Sequence, residues 1–356
     1  FWIGKSKNVS IYEKLSWPLM ILAFFSLLHD WSAYYYQNLP SKPETAIQTV
    51  LNSQFLCSLL FVAMFGFMWK VNVSSNRKNS NASLFKYADI SNYIIPVIFI
   101  AALYLSIRVE IATYWNQLYE GSFNSLSAGN RDFLWFKTIW IINYTLLFLC
   151  SAAFIIMFKI KKPFPAYINI ALLLIALLMF HVQGLYAISM VRESFIDPSQ
   201  FFKSGHYNIY IRYISLAFIA LTLFVLYRYV REAYLPIGLK KIFDIMLHVS
   251  VIWLASSELI HWMDLAGYTQ LYKLGLSILW GVYALLLIIL GIWKKKKGLR
   301  LMAIILFGIT LIKLFFYDIS HLNTLSKTIV MVSLGVLLLI ISFLYNKYKH
   351  IISDEN

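Results

Sequence analysis

The sequence specifies an all-α protein, a polytopic bundle of about ten membrane-spanning helices. Residues 1–356 read as a single integral membrane domain with both chain ends on the cytoplasmic side. Three observations predict this. Hydrophobic residues make up 60% of the 356 and charged residues only 13%, about half the roughly 25% charge of a soluble domain. The apolar residues fall in continuous runs of the length a helix needs to cross hydrocarbon, about 20 residues. They lack the alternation that barrel strands require. Lysine and arginine gather at alternating ends of those runs, as the positive-inside rule demands.

The runs can be taken in order. The first, 12–30, ends on His29-Asp30, and the second, 49–70, ends on Trp69-Lys70. The third, 90–112, contains Pro96, which predicts a kink. After the fourth, 133–158, Pro163 and Pro165 mark a tight turn into the fifth, 165–190. The sixth, 207–229, finishes at Arg228, and the seventh, 238–262, carries Asp244, His248, Glu258 and His261. The eighth, 271–293, runs into Lys294–Lys297. The ninth and tenth occupy 299–318 and 325–346, with Lys313 and Asp318 in the ninth. Trp17, Trp31, Trp69, Trp115, Trp262 and Trp293 lie near run ends, where an interfacial aromatic belt forms.

Charge sets the orientation. Lys5, Lys7, Lys14, Lys70, Lys159, Lys161, Lys162, Arg228, Arg231, Lys240, Lys241, Lys294–Lys297 and Lys347 share one side. Lys42, Arg131, Arg192, Lys203, Arg212, Lys273 and Lys327 share the other. The first side is the richer by more than two to one, so it is cytoplasmic. The net charge of +15 is therefore a topology signal, and nucleic acid is not an expected partner. Cys57 and Cys150 each lie inside an apolar run, which provides neither a disulfide framework nor a zinc site. Because the chain opens on Phe1, residues are expected upstream.

Ionisable groups inside spans are costly and tend to face a bundle interior or a wet cavity. His29, Asp30, Arg108, Glu110, His181, Arg192, Arg212, Glu258, His261, Asp264, Asp318 and His321 all fall toward the non-cytoplasmic ends. They predict a polar pocket open on that side, or else a wetted rim. Asp244, His248 and Glu258 lie within about 80° on one helix face and span about 21 Å. That is either a proton path or two separately wetted ends. Glu258-x-x-His261-x-x-Asp264 and Asp318-x-x-His321 have spacing that suits metal ligands. The set is incomplete for a di-iron bundle, and no metal or cofactor is assigned. Lys313 costs around 3 kcal/mol at mid-helix unless paired, so it snorkels, binds an anionic headgroup or pairs with Glu258. Trp31 and Tyr34–Tyr36 beside Asp30 would suit stacking on a sugar. The absence of G-x-x-x-x-G-K-[ST], H-E-x-x-H and G-x-S-x-G patterns argues against nucleotide-driven transport and against two hydrolase classes.

The C-terminal third carries a family pattern. Glu258-Leu-Ile-His261-Trp262 is followed by Leu279-Trp280-Gly281-Val-Tyr283-Ala284 and Leu290-Gly291 before a basic loop. Then come Leu299-Arg300-Leu301, Phe307-Gly308-Ile-Thr310-Leu-Ile-Lys313-Leu-Phe-Phe-Tyr317-Asp318 and Ser333-Leu-Gly335. Over roughly 250–347 the chain resembles the bacterial membrane proteins called domain of unknown function 2339. The resemblance implies a bacterial inner-membrane location and implies no activity.

Three function classes follow. The leading one is handling of an envelope substrate, a lipid-linked glycan or an anionic lipid, by transfer or translocation. There Glu258 or Asp30 would be the base, His261 and His29 their partners, and Lys313, Asp318, His321, Arg108, Arg192 and His181 the binding set. The second is an ion- or proton-coupled transporter using Asp244 and His248. The third is a non-catalytic subunit that meets membrane lipids and other membrane subunits. Orientation is directly testable once Cys57 and Cys150 are replaced. Lys203→Cys should react with an impermeant maleimide on intact spheroplasts, and Lys295→Cys only after the membrane is opened; the reverse pattern would invert the topology.

Overall fold

The computed structural model describes residues 1–7, 9–37, 47–78, 90–123, 129–198, 205–232, 234–235, 238–268, 272–314 and 324–347. Among the described residues there is no strand, and eight helices are long and apolar enough to cross a membrane. The chain divides into two compact units, one built on Phe1–Phe148 and the other on Leu149–Pro198 and Ser204–Asn356.

The first unit opens with a short helix, α1 (Trp2–Lys7), followed by α2 (Ser10–Gln37), α3 (Ser53–Lys78), α4 (Ser91–Glu120) and the start of α5 (Asp132–Ile155). Pro96 lies in the second turn of α4, and the helix continues past it to Glu120. Met20, Phe65, Ile95 and Ile98 form one apolar cluster, and Leu27, Trp31, Val62 and Ala102 form a second. Polar contacts fasten the helix ends. Glu13 accepts from Lys5 at 2.7 Å and from Ser91 Oγ at 2.9 Å, and Ser91 Oγ in turn accepts from Trp17 Nε1 at 2.9 Å. Trp31 Nε1 donates to Ser58 Oγ at 2.9 Å. That tryptophan is buried, so it is a packing residue and not an open platform for a sugar. Glu110 accepts from the Val50 N–H at 2.8 Å and from Asn52 Nδ2 at 3.0 Å, tying down a loop whose Val50 has φ 69.

In the second unit α5 ends in a π-helical turn, Ile156–Ile160, and left-handed Lys161 hands the chain to α6 (Pro163–Met179), which starts on a proline. A further π turn, Phe180–Gly184, joins α6 to α7 (Leu185–Ile196), so the fifth span is longer and less regular than the sequence suggests. Then come α8 (Tyr207–Tyr229), α9 (Gly238–Leu265), α10 (Tyr272–Trp293), α11 (Lys297–Lys313) and α12 (Thr324–Lys347). α11 and α12 occupy the ninth and tenth expected segments. Gly267, at φ 80, closes the end of α9 in a conformation that favours glycine.

Small residues sit where helices touch: Ala153, Ala166, Ala284 and Ala303 are fully buried. Leu172, Ile175, Leu286, Ile289 and Ile305 are exposed. In lipid, apolar side chains gain nothing by hiding from other apolar groups, so close backbone approach and polar contacts carry helix association. Gly291 shows the constraint. A Cβ there would lie 2.7 Å from Arg300 Cγ and 3.0 Å from the Arg300 backbone nitrogen. Gly291→Val should therefore cost about 1–3 kcal/mol by overpacking the α10–α11 hairpin. Gly308→Ala, with nothing within 4 Å of the added carbon, should leave the melting temperature in detergent unchanged. Equal melting of wild type and Gly291→Val would refute this account of the hairpin.

Candidate functional site

The cluster is organised by the C-terminal half of α9. At 100° per residue, Ser257, His261 and Asp264 fall within about 60° of one another, with Glu258 about 60° further round beyond His261. Arg212 comes from the second turn of α8. Its Nε donates to Glu258 Oε1 at 2.5 Å, and its Nη2 to Ser257 Oγ at 2.8 Å. Arg192 comes from α7, where its Nη2 meets Asp264 Oδ2 at 2.6 Å. Asn208 Nδ2, donating to the Val191 carbonyl at 3.3 Å, ties the start of α8 to α7 beside both arginines.

The π turn at Phe180–Gly184 sets the face on which Arg192 emerges. It inserts a residue into the α-helical spacing, which turns everything beyond it by about 100°. His181, inside that turn, is buried; its Nδ1 lies 2.7 Å from the Leu177 carbonyl and its ring meets Trp253 edge-on at 5.2 Å.

Burial is unequal across the two ion pairs. The arginine side chains are 1% and 6% exposed for Arg212 and Arg192, and their carboxylate partners are 27% and 19% exposed for Glu258 and Asp264. His261, between the two carboxylates along α9, is buried, and Tyr213 packs edge-on to its ring. Four nitrogens in this cluster have no partner among the described residues: Arg192 Nε, Arg212 Nη1, and both ring nitrogens of His261. A buried polar group left unpaired costs about 1–3 kcal/mol. The arrangement thus holds donor capacity that a further group bringing acceptor oxygens would satisfy.

The structure distributes the expected site residues among several places. Glu258, His261 and Arg192 come together. Asp244 pairs with Lys296, and His248 Nδ1 lies 2.9 Å from Tyr283 Oη. The three members of the expected polar stripe therefore face three different partners. Lys313 Nζ donates to the Lys273 carbonyl and to Ser277 Oγ, each at 2.9 Å, while Glu258 takes Arg212. His29 and Asp30 belong to the first unit, 82% and 58% exposed, at 3.8 Å from each other. Arg108, half-buried on α4, is also in the first unit, within electrostatic reach of Lys137. Asp318 and His321 lie outside the described residues. Among the described residues no three His, Cys, Asp or Glu side chains converge on a common point; Glu258 and Asp264 are each turned to an arginine instead.

Sequence reasoning named Arg212 only as a member of a polar pocket or rim, named Asp264 there and in a metal-like spacing, and overlooked Ser257. The available signal was one of balance, since two arginines inside apolar runs require acids at similar depth.

The chain matches the family described as predicted membrane protein, DUF2339, over residues 2–348. It belongs to that family. Membership extends across α1 to α12, far upstream of the C-terminal third in which the resemblance is legible by eye. None of the curated proteins and none of the solved structures compared with it matches.

Removing one member of a buried pair strands the other charge, which costs about 3–5 kcal/mol. Arg212→Gln should therefore destabilise the protein by that order in a mixed-micelle unfolding equilibrium. Arg212→Met combined with Glu258→Met should recover most of the loss. Additive losses in the double variant would show that the two side chains do not act as a pair.

Proposed function

We propose that this member of the family is a bacterial inner-membrane protein that handles a cell-envelope substrate from its non-cytoplasmic side. The α7–α9 cluster holds the polar head of that substrate, a lipid-linked glycan or an anionic lipid, for transfer or translocation. The observation that supports this is the set of unpartnered nitrogens on Arg192, Arg212 and His261, all buried inside membrane spans. Donors stranded in hydrocarbon are expensive, and ionisable groups kept there usually serve a substrate path. The lysine and arginine distribution places the C-terminal end of α9, and the adjoining ends of α7 and α8, on the outer side. Substrate would arrive from the outer leaflet, past the partly exposed carboxylates of Glu258 and Asp264.

If the role is enzymatic, Glu258 at the rim and His261 behind it are the groups nearest an incoming hydroxyl or phosphate ester. The transporter reading through Asp244 and His248 has weaker support, because each already has a neighbouring partner. The test is to purify the protein from bacterial membranes in mild detergent and identify retained lipids by mass spectrometry. One envelope lipid class should be enriched over the bulk membrane, and His261→Leu should lose that enrichment while remaining folded. A lipid profile equal to the bulk for both proteins would remove the reading.

A further inference from the structure

Resting on that reading, we propose that Glu258 and Asp264 are internal stand-ins for a phosphate group, which displaces them from Arg212 and Arg192 when substrate binds. Three features of the cluster carry this.

The first is the kind of atom left unsatisfied. Arginine nitrogens only donate, so whatever completes Arg192 Nε and Arg212 Nη1 must present acceptor oxygens. A phosphate offers several on one atom, and guanidinium–phosphate pairs are among the strongest charge-assisted contacts. His261, with both ring nitrogens unpartnered, can donate to one phosphate oxygen and accept from a protonated one. Neutral sugar hydroxyls are weaker acceptors and would not compete with a carboxylate for a guanidinium.

The second is the asymmetry of burial. Arg212 and Arg192 are held inside the bundle, at 1% and 6% exposure, while Glu258 and Asp264 stand at its edge at 27% and 19%. On the proposed outward-facing reading that edge is wetted, so the carboxylates can turn outward to where their charge is cheaply solvated, but the guanidiniums cannot follow. An exchange of acceptors costs little on the carboxylate side and keeps each arginine neutralised throughout.

The third is stoichiometry. Each arginine spends one edge on its own acid, Nε for Arg212 and Nη2 for Arg192. The unpartnered atoms are Nη1 on Arg212 and Nε on Arg192. The two guanidiniums are within electrostatic reach of one another, so one oxyanion between them relieves a like-charge repulsion that the separate acids only partly offset.

Binding can be measured on the full chain in maltoside micelles by calorimetry, using dihexanoyl phosphatidic acid, inorganic phosphate and octyl glucoside as probes. Phosphatidic acid should bind wild type. Asp264→Asn and, independently, Glu258→Gln should bind it more tightly by about tenfold, because the competitor for the arginine is gone. Glu193→Gln removes a nearby exposed acid that is within electrostatic reach of Arg192 but is not its hydrogen-bond partner; it should change affinity by less than about twofold. Inorganic phosphate binding at the same site would identify a soluble source, and binding of the lipid alone would identify a headgroup; both support the phosphate assignment. Unchanged or weaker phosphatidic acid binding by the folded Asp264→Asn or Glu258→Gln protein would overturn the stand-in role. Binding of octyl glucoside without phosphatidic acid would overturn the phosphate class and leave substrate handling standing. Binding of none of the three would overturn both.

Discussion

Two guanidiniums enclosed by apolar helices need an opposite charge within reach, and much of the second unit follows from that requirement. Born solvation makes an isolated ion in hydrocarbon untenable, so α9 must present two acids at the correct depth and angle. Glu258 and Asp264 are six residues apart, about 9 Å along the axis, and they meet arginines from two different helices. α9 therefore has little freedom to rotate or slide against α7 and α8. The Asn208–Val191 contact ties α8 to α7, and the His181–Trp253 ring contact ties the π turn to α9.

The two units use polarity differently. In the first, Glu13, Ser58, Ser91 and Glu110 each accept a hydrogen bond from a nearby donor. These contacts close helix ends and a loop, and they act as fasteners. In the second, the α7–α9 cluster leaves donor capacity unspent. A structural fastener has no use for spare nitrogens in hydrocarbon, whereas a binding group does. Among the described residues the first unit's unpartnered buried nitrogen is the neutral amide of Gln117, whereas the cluster's belong to two arginines and a histidine.

Most of the fold was legible because the bilayer imposes simple rules on sequence. Run length defines the spans, and basic residues alternate between the two sides. The site was legible only in part. Glu258, His261 and Arg192 could be picked out because each is costly where it stands. Their partners could not, since helical periodicity relates residues within one helix and says nothing about which helices touch. Lys313 was the mate considered for Glu258 from sequence, and packing gives it Arg212 instead. The π turn at Phe180–Gly184 was hidden for a related reason: Phe-His-Val-Gln-Gly has no distinctive hydropathy.

That turn also affects how the chain can vary. A regular helix tolerates no single-residue insertion without rotating all that follows, and here the rotation is what aims Arg192 at Asp264. The span from Pro163 to Ile196 thus behaves as two rods joined out of phase. Losing one residue at the joint would restore an ideal helix and, with the same composition and hydropathy, point the arginine at lipid. In this segment, length counted to the single residue matters more than the identity of any side chain between the joint and the cluster.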